Sequence, residues 1–206
     1  MKKYAVLHEP GDIVTLAGTR FVVLDVERRG SLPDSLFLLA LESVGASEFG
    51  SSNNYAESDL KKAVDKWLED MGKRGLDNAK LIPREIDLTT LDGSGCYGKL
   101  SVKAAPLTLD EAREYADIIP NAERWCWLAT GWSGPSKSDG DLALYVSSNG
   151  GWYYYYCSNS GGIRPALKAP SILFEDSEAG LDLSKIPTDN LLRESTADSR
   201  KRHECR

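Results

Sequence analysis

Cysteine, histidine and positive charge are all scarce in this chain of 206 residues, and each scarcity removes a class of function. The four cysteines, Cys96, Cys126, Cys157 and Cys205, lie far apart with no CxxC pair, which argues against a zinc site. They read as free thiols, with Cys126 and Cys157 as small core residues in strand-like segments. Only two histidines are present, His8 and His203, at opposite ends in weakly structured sequence. A histidine-based triad or metal cluster is therefore not expected, and both are read as surface residues. Lys and Arg total 25 against 31 Asp and Glu, a net charge of -6 that disfavours sequence-independent grip on nucleic acid. The one basic cluster, Arg200-Lys201-Arg202, reads as a solvated tail. No apolar run is long enough to span a bilayer. The first ten residues carry Lys2 and Lys3 but are interrupted by His8 and Glu9, so they do not read as a signal peptide.

What is present in quantity is turn-forming sequence. Eighteen glycines and 9 prolines, with 41% hydrophobic and 27% charged residues, indicate a loop-rich globular α+β or β chain with one sizeable core. Ile13–Leu16 and Phe21–Val26 flank Ala17-Gly18-Thr19-Arg20 as a β-hairpin, and Leu36–Leu41 reads as a buried strand. A helix near 57–71 follows from the stripe Leu60, Ala63, Val64, Trp67, Leu68 and Met71, with Gly72 and Gly75 ending it. Asn54 with Glu57, or alternatively Ser58, caps its start. Residues 76–107 show little periodicity. Thr108 and Glu111 form a capping box for a second helix over 109–119, whose apolar stripe is Leu109, Ala112, Tyr115, Ala116 and Ile119, and Pro120 stops it. Trp125–Ala129 is an aromatic strand, followed by the loop Gly131–Gly140. Trp67, Leu68, Leu128, Leu142, Leu144 and Val146 are expected to be buried. The core is read as one domain over residues 1–172. Residues 173–206 form an acidic, then mixed-charge extension, with a short helix at Asp189–Glu194 and a frayed end.

Several motifs have a plain reading beside a functional one. Ser136–Asp141 offers two carboxylates to calcium, but lacks the further oxygens a site requires, and reads as a turn. Asp92–Gly98 is glycine-rich without the lysine of a phosphate loop or the spacing of a dinucleotide fingerprint, and reads as a flexible or bulged loop. Arg164, before Pro165, reads as a structural arginine forked onto a carboxylate or backbone carbonyls. Glu111, Glu114 and Glu123 have ordinary solvated spacing, and no acid/base pair stands out.

The most informative stretch runs from Ser147 to Pro165. Asn149-Gly150-Gly151 is a turn signal between the β-prone runs Leu142–Val146 and Trp152–Cys157. In a strand, Trp152, Tyr154 and Tyr156 line one face, and Tyr153 and Tyr155 the other. One row must look outward if the other meets the core. Tyrosine among Ser, Asn and Gly is the composition of a binding surface. The alternative is a strand buried on both faces, with tyrosines as core.

Gly11–Val14, Phe21–Val26, Leu60–Leu68, Trp125–Thr130, Ser148-Asn149-Gly150 and Gly162-Ile163-Arg164-Pro165-Ala166-Leu167 together resemble an uncharacterised domain family of gut bacteria and their phages. The likeness covers about residues 10–170. Cys126 stands where the family pattern has a second tryptophan, and Asn149 where it often has Asp. That family is similar to the C-type-lectin-like fold of formylglycine-generating enzymes and of proteins diversified by retroelements. The resemblance implies an α+β, lectin-like domain with two helices packed on small, mostly antiparallel sheets. It implies a non-catalytic module, phage- or prophage-encoded and virion-associated or cytoplasmic. The hairpin, which a retroelement would diversify, recognises a surface protein or glycan through Trp132, Tyr145, Trp152, Tyr153, Tyr154, Tyr155, Tyr156 and Asn159. Arg164, Trp125 and Trp127 are structural, and no metal, cofactor, nucleic acid or membrane is expected. The alternatives are an oxygen-dependent enzyme of the formylglycine-generating type, with Cys126 and Cys157 binding copper, and a virion protein that uses the aromatic face for assembly. The expected partner is thus a protein or glycan ligand, with homo-oligomers open.

Overall fold

A turn with two positive φ angles, +46° at Ala17 and +76° at Gly18, starts the fold by reversing the chain between β1 (Ile13–Leu16) and β2 (Thr19–Arg29). This is the turn whose twist matches paired strands. The computed structural model of the chain describes residues 8–29, 32–135 and 139–174. The sequence expectations for Cys205, His203, Arg200–Arg202, Ser136–Ser138 and the extension beyond Phe174 lie outside them.

β2 pairs antiparallel with β3 (Leu32–Ala40), and β3 with β12 (Ala166–Pro170), whose other edge carries the short β7 (Ala104–Ala105). The sheet order is β1-β2-β3-β12-β7. Phe21 and Val23 point to one apolar cluster, and Val22 and Leu24 to another. Burial on both faces explains why these strands are continuous apolar runs without alternation.

On the first face lies α1 (Asp59–Lys73), which buries Leu60, Val64 and Met71. Its two candidate caps divide the work. Asn54 Oδ1 accepts from Ala56 N at 3.1 Å to open a 3-10 turn at Tyr55–Glu57, and Ser58 Oγ accepts from Lys61 N at 2.9 Å to open α1. The helix passes through Gly72. Gly75, at φ +102°, closes it with bonds from Gly75 N to Gly72 O and Leu76 N to Met71 O, the paired bonds of a Schellman end. Trp67 and Leu68 are only half-buried, because the apolar stripe is wider than the contact beneath it. Leu142 and Val146 are likewise half-buried, whereas Leu128 and Leu144 are core.

On the second face lies α2 (Leu109–Glu114). Its capping box is complete, Glu111 N donating to Thr108 Oγ1 and Thr108 N to Glu111 Oε2. The helix is shorter than its apolar stripe. Past Tyr115 the ladder becomes mixed, with three-residue steps from Ala116 N to Arg113 O and from Ile118 N to Tyr115 O beside a single four-residue step from Ile119 N to Tyr115 O. Glu111 is not an ordinary solvated acid, for it also pairs with Arg84, whose side chain is 8% exposed.

The second sheet contains β4 (Ala46–Glu48), β8 (Cys126–Gly131), β9 (Leu142–Val146), β10 (Trp152–Tyr156) and β11 (Ser160–Gly162), in the order β10-β9-β8-β11-β4. All its pairings are antiparallel except β8 with β11. A two-stranded sheet, β5 (Arg84–Asp87) and β6 (Lys99–Val102), occupies the stretch where the sequence shows no period. Over the described residues the fold is α+β, with two α-helices on mostly antiparallel sheets.

Arg164 is 6% exposed and ties the sheets together. Its Nε donates to Ala40 O at 2.8 Å, Nη2 to Leu41 O at 3.1 Å and Nη1 to Pro120 O at 3.0 Å. Replacing it by methionine leaves three carbonyls without a donor. Arg164→Met should lower unfolding free energy by about 3 kcal/mol or more in urea titrations. Phe49, fully buried edge-on against Trp127 at 5.5 Å, should cost about 3–5 kcal/mol on truncation to alanine in the same assay.

Candidate functional site

The hairpin that carries the tyrosines is built around a three-residue loop. Ser147 N donates to Gly151 O at 2.8 Å and Gly150 N to Ser147 O at 3.0 Å, while Gly150 takes φ +85°. Asn149 Oδ1 accepts from Gly151 N at 3.2 Å and from Ser147 Oγ. These bonds set Trp152 opposite Val146, Tyr153 opposite Tyr145 and Tyr156 opposite Leu142, with no bulge.

β10 is the edge of its sheet, and this changes the expected burial. Neither aromatic row is covered. Trp152, Tyr153, Tyr154, Tyr155 and Tyr156 are 42%, 51%, 50%, 45% and 56% exposed. Tyr153 and Tyr155 lie on the face of Tyr145, with ring centroids 5.8 and 6.3 Å from it. Beneath them Trp125 stands 4.9 Å from Tyr145 and 4.9 Å from Trp127. On the opposite face Tyr154 leans on Trp132 at 4.1 Å, and the Arg113 guanidinium sits over Trp152 at 5.8 Å.

The backbone of β10 is open too. Gly151 O and Cys157 N bond to β9 and its flank at Ser147 N and Asp141 O, so the odd-numbered residues face β9. The N–H and C=O groups of Trp152 and Tyr154 point away and have no partner among the described residues. Tyr156 O is taken by Asn159, through both its backbone N and its Nδ2. Asn159 is half-buried, and its amide nitrogen is committed to this turn.

Trp125 and Trp127 are the underlay of this surface. Trp127 is 1% exposed and its Nε1 donates to Ser47 O at 3.1 Å. Both rings lie against Gly161, where an added Cβ would come within 2.3 Å of Trp125 and 2.6 Å of Trp127 Nε1. Glycine is required there by space.

Two contributors have no signal in the sequence pattern. Arg113 reaches Trp152 from α2. Asn53, 1% exposed, donates from Nδ2 to Ser133 O and Leu142 O, each at 2.9 Å, and accepts from Tyr97 Oη at 2.6 Å. It thereby fixes both ends of the β8–β9 connection. The glycine-rich loop is also tied down, contrary to its reading as flexible. Thr90 Oγ1 and Ser94 N donate to Asp92 Oδ1, and Leu91 N and Asp92 N donate to Gly131 O and Trp132 O. His8 is not a plain surface residue. It is half-buried, edge-on to Phe174 at 5.7 Å, and burial lowers its pKa despite nearby Asp12.

Among the described residues, no three His, Cys, Asp or Glu side chains form a group able to hold a metal. Cys126 and Cys157 are buried free thiols and Cys96 is exposed. Burial raises the Cys126 pKa, and burial with the Asp141 charge pushes Cys157 up to about 12. No described helix is long and apolar enough to cross a membrane. Comparison with protein-family models, curated proteins and solved structures returns no match.

Since the thiolate is the reactive form, Cys96 should label faster than Cys126 or Cys157 in the native protein by at least about tenfold at pH 8. Mass spectrometry of labelled peptides reads this directly. Equal rates would mean that the two buried thiols open to solvent.

Proposed function

We propose that the chain is a non-catalytic ligand-binding module, with a C-type-lectin-like fold, that recognises a surface protein or glycan through β10 and its aromatic neighbours. The observation that carries this reading is the half-exposure of five consecutive aromatics on an ordered edge strand. Large exposed aromatic patches are uncommon on monomeric proteins and mark sites of interaction. Tyrosine and tryptophan bring contact area and a hydrogen-bonding tip at low rotamer cost. Leu142–Ile163 contains no charged side chain, although 27% of the chain is charged. Contact on this strand therefore desolvates rings and hydroxyls without stripping water from an ion.

Phage or prophage origin, a virion-borne or cytoplasmic location, and diversification of the hairpin rest on the residue resemblance alone. The enzyme alternative rests on Cys126 and Cys157, which are both buried free thiols, and it too is carried by the residue resemblance alone. Assembly through the same strand is the second reading, and the unpaired backbone edge of Trp152 and Tyr154 favours it.

A screen against glycan and surface-protein arrays identifies the ligand, and point variants then test the site. Tyr153→Ala and Tyr154→Ala should each weaken binding by about 1–3 kcal/mol while shifting Tm by no more than about 2 °C. If these variants unfold the protein, or bind as the parent does, the surface is not the recognition site. A mass that rises with concentration, and falls back in Tyr154→Ala, would favour assembly instead.

A further inference from the structure

Behind the aromatic strand, on the α2 side of the sheet, lies a pocket of about 100 Å³. Ile119, Leu128 and Val146 supply its apolar walls, with Trp152 on one side and Ala116 from the turn after α2 on another. Asn121 and Ser147 add polar groups, and Arg164 is the one charged residue of the lining. Its guanidinium carries five N–H groups, and the three carbonyls of Ala40, Leu41 and Pro120 occupy three of them. One N–H on Nη1 and one on Nη2 have no partner among the described residues, and the side chain forms no ion pair among them. The acids that influence it, Glu42 and the Cys126 thiol, do so at longer range, and that thiol is held neutral.

A nearly buried cation bonded only to neutral carbonyls retains its full charge at the wall of an apolar space. Such a charge is costly until an anion meets it. The two remaining donors sit on the two terminal nitrogens, and a carboxylate matches a guanidinium through two parallel N–H···O bonds. The size of the pocket sets the other limit. An apolar cavity of about 150 Å³ accommodates benzene, so the body that fits here has about four carbon atoms.

We propose that this pocket binds a small monocarboxylate with a short apolar body, its carboxylate on Arg164 and its hydrocarbon against Ile119, Leu128 and Val146. The site is separate from recognition by β10. A ligand on the strand does not require the pocket to be filled, and a filled pocket does not require a ligand on the strand. Trp152 touches both, so occupancy of the pocket is visible from its indole.

Butyrate, butyramide and butylamine serve as probes of similar size and different charge. Each is titrated into the full chain while the Trp152 indole N–H resonance is followed by NMR. Butyrate should give a saturable shift with half-saturation below about 5 mM. The neutral amide should bind at least about tenfold more weakly, and the amine not measurably. Ala112→Leu, which adds bulk to the lining, should abolish the butyrate shift. Ala116→Phe does the same from an exposed position, should the buried substitution disturb folding. Butyramide binding as well as butyrate would overturn the role of Arg164. No saturable response to butyrate, or one that survives both filling variants, would overturn the pocket. None of these outcomes bears on the glycan and protein screen, so the two readings fail separately.

Discussion

Burial of β8 on both faces is the constraint on which the recognition side of the molecule depends. All six of its residues, Cys126 to Gly131, are buried, with Trp127 and Ala129 in one apolar cluster and Leu128 in the other. A strand held from two sides cannot tilt without opening both clusters. β9 pairs with it and takes the same partition, Ala143 and Tyr145 one way, Leu144 and Val146 the other. Beyond β9 the core ends. β10 thus inherits its position from hydrogen bonds to β9 and owes little to burial of its own side chains.

This ordering separates two tasks. Stability resides in the paired clusters, in the Arg164 bonds that join Ala40, Leu41 and Pro120, and in the tryptophans seated on Gly161. The outer strand contributes surface chemistry. Asn53 couples the tasks at one end, because its amide holds the carbonyls of Ser133 and Leu142 where the β8–β9 connection enters and leaves. At the other end the pocket beside Arg164 reaches from the structural arginine to Trp152, so the rigid and the exposed parts meet around one small space.

Those parts of the fold with a strong local code were legible in the sequence. The stripe of α1, the Thr108–Glu111 capping box, both hairpins and the structural role of Arg164 each follow from spacing, turn chemistry or a charge in apolar surroundings. Strands β5 to β7 were not legible, because pairs of four and two residues have too few positions to show a period. α2 was overextended for the opposite reason, since the apolar period continues past Tyr115 although the unbroken run of four-residue bonds does not. The aromatic strand was read correctly as a strand, but alternation alone expects one wet face. Edge position, which no local pattern encodes, exposes both. The pairing of Arg113 with Trp152 and the clamp at Asn53 are long-range contacts without sequence spacing to announce them.

The uncharged outer strand has a consequence for how the protein behaves in bulk. Natural sheet edges are commonly guarded by lysine, proline or a bulge, and β10 carries none of these between Trp152 and Tyr156. What keeps copies apart must then act from a distance, and the net charge of -6 is such a force. Repulsion of that kind reaches about 10 Å at 0.1 M salt and about 3 Å at 1 M. Added salt therefore shortens this repulsion while leaving the unguarded edge of β10 as it is.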